Sequence, residues 1–164
     1  NSDLANDLGN LLSRSTAMLV KYFDGILPAA GQLSSLDEGL KEKIIASIAA
    51  VDSCMDELVY SKALQAIWDA ISAGNKYIDD TTPWAMAKDP EKQQALATVM
   101  YCLLEMQRLV HILISPFMPE TSRKALGFLG WHQEPSAEQL CWGGLVAGTQ
   151  IMKAEALFPR IDKE

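Results

Sequence analysis

Asn10 and Arg14 stand four residues apart, with Asn6 four residues before them, so a helix would carry all three on one face. An amide that both donates and accepts, beside a planar fork of donors, suits the hydrogen-bonding edges of unstacked bases. Further along, Thr82-Pro83-Trp84 puts an indole at a corner between two helical stretches, off the apolar stripe of either. Proline fits the first position of a short helical turn, where no N–H is needed, and Thr82 is the residue that would cap it. An indole held this way is a stacking surface for a nucleic-acid base, worth ~1–3 kcal/mol per base without any net charge. Each feature also has a plainer reading. The column could pair with Asp3 or Asp7 on a solvated helix, and the tryptophan could fold over the bundle end as a lid.

The totals limit how such a site could work. The chain has 164 residues, 49% of them hydrophobic, which suits one domain with a real core. Its formal net charge is −7 and its isoelectric point about 4.8. That sign is wrong for a protein held to nucleic acid by bulk electrostatics, so recognition must be local or assisted by another part of the molecule. Three cysteines, Cys54, Cys102 and Cys141, are far apart and form no C-x-x-C pair, which fits a reducing compartment. Two histidines give little scope for a metal site, and no metal is expected. No apolar run reaches the ~18–20 residues of a membrane span, and no signal peptide is visible. Asn1-Ser2-Asp3 lies inside a helical pattern and reads as the start of a piece of a longer protein.

Catalysis finds no footing. G-x-G-x-x-G, Walker and G-x-S-x-G patterns are absent, and no catalytic residue is assigned. Asp79-Asp80 and Asp56-Glu57 read as solvated acids at helix ends. His111 sits in an apolar run and reads as a satisfied core or edge histidine.

Helical periodicity supplies the elements that would position the column and the corner. Apolar residues at 4, 8, 11, 12, 18, 19 and 22 define a first helix, ended by Asp24-Gly25. Ser35 and Glu38 form a capping box for a second, with Leu40, Ile44, Ile48, Val51 and Met55 inward. A third carries Tyr60, Leu64, Ile67, Trp68, Ile71 and Ile78 on its inner face, with Trp68 in the core. Asp89-Pro90-Glu91 opens a fourth that runs to Ser115-Pro116, apolar around most of its girth and therefore central, with Glu105 and Arg108 as its polar edge. Pro119 starts a short fifth helix closed by Gly130. Beyond it, Trp131, Pro135, Trp142 and Gly143-Gly144 break any regular pattern. The expectation is an all-α antiparallel bundle over residues 1–130, with an irregular strap over 131–164, anchored by Trp131 and Trp142, belonging to the same domain.

Four stretches then share a pattern. Asp3 to Arg14 reads D-L-x-N-x-x-x-N-x-x-x-R and resembles the first anticodon-domain helix of methionyl-tRNA synthetases. Tyr77-Ile78-Asp79-Asp80-Thr81-Thr82-Pro83-Trp84-Ala85-Met86-Ala87-Lys88 resembles that family's second motif, an aromatic corner after proline. Pro116-Phe117-Met118-Pro119-Glu120-Thr121 is similar to the turn after its long helix, and Leu157-Phe158-Pro159-Arg160-Ile161-Asp162 to its closing segment. The resemblance implies a class I synthetase anticodon-binding domain that reads CAU. Trp84 would stack on the first anticodon base, Asn10 and Arg14 would bind the edges of the unstacked bases, and Asp79 would discourage wrong anticodons. It implies a cytoplasmic parent that joins methionine to tRNA(Met) using ATP and magnesium. Its partners would be the anticodon loop and the catalytic domain of the same chain, without membrane or DNA. The catalytic signatures of the H-I-G-H and K-M-S-K-S types are absent, so the stretch would bring recognition alone, with no cofactor of its own. Two alternatives stay open: the helical domain of a neighbouring class I enzyme, for leucine, isoleucine, valine or cysteine, and an acidic helical protein-interaction module.

Overall fold

Leucines and isoleucines spaced by three and four along the chain fold into helices whose inner stripes meet in one core. The computed structural model describes residues 2–155, with side chains from Asn6 onward; the closing L-F-P-R-I-D segment lies outside the described residues. Four helices of 22 residues form the frame: α1 (Ser2–Phe23), α2 (Ser35–Asp56), α3 (Tyr60–Thr81) and α5 (Gln93–Ile114). The short α4 (Pro83–Met86) turns the corner between α3 and α5, and α6 (Pro119–Phe128) follows α5. A single 3-10 turn, Pro90–Lys92, leads into α5, so the start expected at Asp89-Pro90 is a 3-10 entry and not the helix proper.

The directions of the helices follow from which residues meet. Tyr77 on α3 reaches back to Asp37 at the start of α2, so these two run antiparallel. Gly74 of α3 lies against Met106 of α5 and Leu11 of α1, where a side chain would crowd both neighbours. Arg14 of α1 pairs with Asp79 of α3, further along both chains, so α1 and α3 run parallel. The ends of α2 and α5 therefore gather where α1 and α3 begin, and the Trp84 corner stands at the opposite end.

Alpha5 is the central element. Every residue from Leu96 to Ile114 except Tyr101 is buried. By length and composition the stretch Pro90–Ile114 could cross a membrane, but 94% of its most apolar window is buried inside the protein. It is the core helix of the bundle.

Several local expectations shift. The cap of α2 is Ser34, one residue earlier than expected: its Oγ accepts from Asp37 N at 3.3 Å, and Asp37 Oδ2 accepts from Ser34 N at 2.8 Å. Two overlapping Ser-x-x-acid pairs compete here. The earlier one wins because Asp37 also accepts a hydrogen bond from the Tyr77 hydroxyl, which ties the helix start to the core. Burial and that carboxylate push the Tyr77 hydroxyl far above its usual range. Trp68 is only half-buried and lies outside the core cluster, because it falls on the shoulder of α3 beside the inward Ile67 and Ile71. Tyr60 is half-exposed and meets Phe117 edge to face, ring centroids 6.4 Å apart.

Glu105 and Arg108 correct the largest expectation. They are no polar edge: neither side chain has any exposed surface. The strap explains why. Arg108 donates to the carbonyls of Gln139 and Cys141 at 2.8 and 2.7 Å, and Glu105 accepts from the amides of Leu145 and Gly144 at 2.8 and 3.3 Å. Trp131 lies over the guanidinium, its ring centre 4.7 Å from Cζ. Irregular backbone brought onto an apolar helix needs donors and acceptors, and this ion pair supplies them. Beyond it, Leu27 N donates to Thr149 O and Ile151 N to Gly25 O, and Ala154 N donates to Thr16 Oγ1 at 2.9 Å.

His111 is fully buried and, against expectation, neither ring nitrogen has a hydrogen-bond partner among the described residues. Burial lowers its pKa from 6.5 to about 4. The unfolded chain then binds a proton that the folded one refuses. The contribution of neutral His111 is full above pH 6.5 and is lost as pH falls towards about 4. Urea unfolding followed from pH 7 down to 4.5 is expected to show a steeper loss of stability than the His111→Gln variant shows.

Candidate nucleic-acid interface

The polar column forms as the spacing requires. Asn6, Asn10 and Arg14 are all exposed, while Leu8, Leu11 and Leu12 of the same helix are fully buried. Asp7, Asn10 and Arg14 line one wall of an open cleft of about 400 Å³, and Ser72 and Asn75 of α3 line the other. The parallel course of α1 and α3 makes this cleft a groove with polar side chains on both walls.

Asp79, one turn beyond Asn75, joins the same edge. Its carboxylate lies 3.9 Å from the Arg14 guanidinium, with the two side chains 71% and 46% exposed. A contact so long and so wet adds little stability. It places the Asp79 carboxylate beside the Arg14 guanidinium at the edge of the groove.

Trp84 follows from a backbone device. Thr82 ends α3 in the left-handed region at φ 48° and ψ 64°, unusual for a β-branched residue. Its N–H donates to Ile78 O, and its carbonyl accepts from the amides of Ala85 and Met86. Thr82 thus occupies the cap position of α4, but its hydroxyl makes no capping bond, contrary to expectation; the main chain alone closes the corner. Pro83 is buried, and Met86 and Ala87 pack against the core. Between them Trp84 is left 43% exposed, so the indole is not a sealed lid. It does not line the groove of Asn10 and Arg14 itself; it stands past the end of α3, five residues after Asp79.

Ser72 and Asn75 were missed in the sequence. With Trp68 and Asp79 they repeat at intervals of four, three and four, a second stripe along α3 beside its apolar one. That spacing was the available signal.

The family model for the anticodon-binding domain of methionyl tRNA ligase matches residues 27–164. The chain belongs to that family. The matched residues take in Ser72, Asn75, Asp79 and Trp84, and leave out α1. Relatives extend the likeness across α1. Methionine--tRNA ligase of Caldanaerobacter subterraneus subsp. tengcongensis is 48% identical over 165 residues, covering 100% of this chain and 26% of the relative. The Bacillus subtilis methionine--tRNA ligase is 40% identical over 167 residues, again covering all of this chain and 25% of the relative. Mycobacterium tuberculosis methionyl-tRNA synthetase in its free state superposes with a TM-score of 0.90 at 33% identity, covering 100% of this chain and 34% of that one. The same enzyme with methionyl-adenylate gives 0.89 at 34% identity, covering 98% and 32%. The chain spans about a quarter of the length of the curated relatives it matches.

Proposed function

We propose that this anticodon-binding domain reads the CAU anticodon of tRNA(Met) for a methionine--tRNA ligase, a cytoplasmic enzyme that joins methionine to tRNA using ATP with magnesium. The observation that carries the proposal is the exposed pair Asn10 and Arg14 in a polar groove, with a half-exposed Trp84 beyond the same end of α3. Trp84 stacks on the first anticodon base. Asn10 and Arg14 hydrogen-bond the edges of unstacked bases, and Asp79 discriminates by contesting the Arg14 fork and repelling phosphate placed wrongly. The domain recognises and positions; adenylate formation belongs to the catalytic part of the parent.

Competition between hairpins tests it. A stem-loop bearing CAU is expected to displace itself from the domain at lower concentration than hairpins bearing leucine, isoleucine, valine or cysteine anticodons. Asn10→Ala is expected to weaken CAU binding by about 1 kcal/mol, the net worth of one hydrogen bond, with an unchanged melting temperature. Equal competition by all hairpins would sink the anticodon assignment. In a domain of net charge −7 the affinity rests on stacking and base edges, so it should depend only weakly on salt.

A further inference from the structure

The turn that ends α3 does two things: it holds Asp79 at the edge of the groove and launches the corner that carries Trp84. Ile78 and Pro83 are buried beneath it. Apolar contacts have no direction, so they fix how deep a helix sits better than where it stops along its own axis. A directional bond is needed for that.

One is present, and it lies where RNA cannot reach. Tyr77 is 4% exposed and Asp37 3%. The Tyr77 hydroxyl donates to Asp37 Oδ1, while Asp37 Oδ2 accepts from Ser34 N at 2.8 Å. The acceptor is thus held at both oxygens. In the same turn of α3, buried Thr81 donates from Oγ1 to Tyr77 O at 2.7 Å. From α5 the fully buried Cys102 faces the same hydroxyl; burial, and then the Asp37 carboxylate, push its thiol up to about 12. The starts of α2 and α5 and the end of α3 therefore meet in one polar cluster, beside the turn that bears Asp79.

Such a cluster is costly, since apolar side chains would pack the same place without desolvating a carboxylate. What it supplies is a single arrangement, where apolar packing tolerates several. The other flank of the corner is tied likewise: Gly31 N, in the loop before α2, donates to Thr98 Oγ1 in the first turns of α5 at 2.9 Å.

From this we infer that Tyr77, acting through Asp37, is a positioning residue for reading the anticodon: it fixes the register of the last turn of α3, and with it the separation of Trp84 from Asn10 and Arg14. The inference rests on the proposed role of those three side chains. A helix advances about 1.5 Å per residue, so slip by less than one residue carries the indole away from a base held at the groove. Bonds behind the reading surface set where that surface stands.

Tyr77→Phe tests it, because it removes one oxygen and leaves the ring. The chain is labelled with fluorotryptophan, and Trp84→Phe names the Trp84 signal among the four. In Tyr77→Phe that signal is expected to broaden or split while those of Trp131 and Trp142 stay, and the CAU hairpin is expected to bind severalfold more weakly. Asp37→Asn keeps an acceptor but not the charge, and should show both changes to a smaller extent. Ser122→Ala is the control. It removes another buried hydroxyl, bonded to His111 O at 2.6 Å towards the opposite end, and should change neither readout. An unaltered Trp84 signal or an unaltered affinity in Tyr77→Phe would overturn the inference. So would equal changes in Ser122→Ala, since any loosening of the bundle would then suffice. Both readouts altered in a chain that binds all hairpins alike would count against the reading of CAU and leave the positioning intact; CAU preference with neither altered would do the reverse.

Discussion

Arg108→Met is expected to cost about 3–5 kcal/mol of folding stability, the largest effect of any single change considered for this domain. The variant leaves Glu105 without its partner in a site without exposed surface, and it removes the donors to Gln139 O and Cys141 O. Trp131 also loses the cation beneath its ring. The damage should be directional: the strap loosens first, because its stretch from Gln139 to Leu145 is bonded to α5 through this pair and through Tyr101, whose hydroxyl donates to Leu145 O at 2.8 Å. Limited proteolysis should therefore cut within 131–155 before it reaches the helices, and the urea midpoint should fall. The double variant Glu105→Gln with Arg108→Met should regain part of the loss, since no buried charge is then left alone. A melting curve for Arg108→Met that matches the wild type would mean the pair is not the strap's anchor. Gly144 shows how tightly the strap is drawn in, since a side chain there would run into the guanidinium.

Trp84→Ala is the second large effect, and it is expected in binding rather than folding. Removing one base platform should weaken the CAU stem-loop by ~1–3 kcal/mol, roughly 5- to 150-fold in dissociation constant. The ring is 43% exposed and lies outside the core cluster, so the melting temperature should change little. Trp84→Phe should recover part of the affinity, because a smaller face still stacks. Indole fluorescence gives an independent readout: quenching on addition of the hairpin, with Trp68, Trp131 and Trp142 as a constant background. Unaltered affinity in Trp84→Ala would place the bases somewhere other than this corner.

The frame was legible where periodicity was strong. The stripes of α1, α2 and α5 and the short turn at Pro83 emerge as the spacing of their apolar and turn residues requires. The Asn10 and Arg14 column was legible for the same reason, since one helical face follows from a spacing of four. What stayed hidden depends on contacts distant in sequence. Ser34 and Ser35 offer the same capping pattern one residue apart, and only Tyr77, on another helix, decides between them. Glu105 and Arg108 carry the usual mark of a solvated edge, two charges at i and i+3; that they are buried follows from backbone almost 40 residues later in the chain. Ser72 and Asn75 became part of the groove only once α1 was known to lie parallel to α3.

Thr82 has one more consequence. No capping bond from a side chain closes the corner it makes, so the direction in which the Trp84 Cα–Cβ bond leaves the main chain depends on that pair of torsion angles. Glycine would accept those angles with less strain, but it would also leave them freer to drift. A threonine there acts like a set screw: with fewer torsion angles open to it than glycine has, it narrows the directions in which the chain can carry the ring away from the bundle.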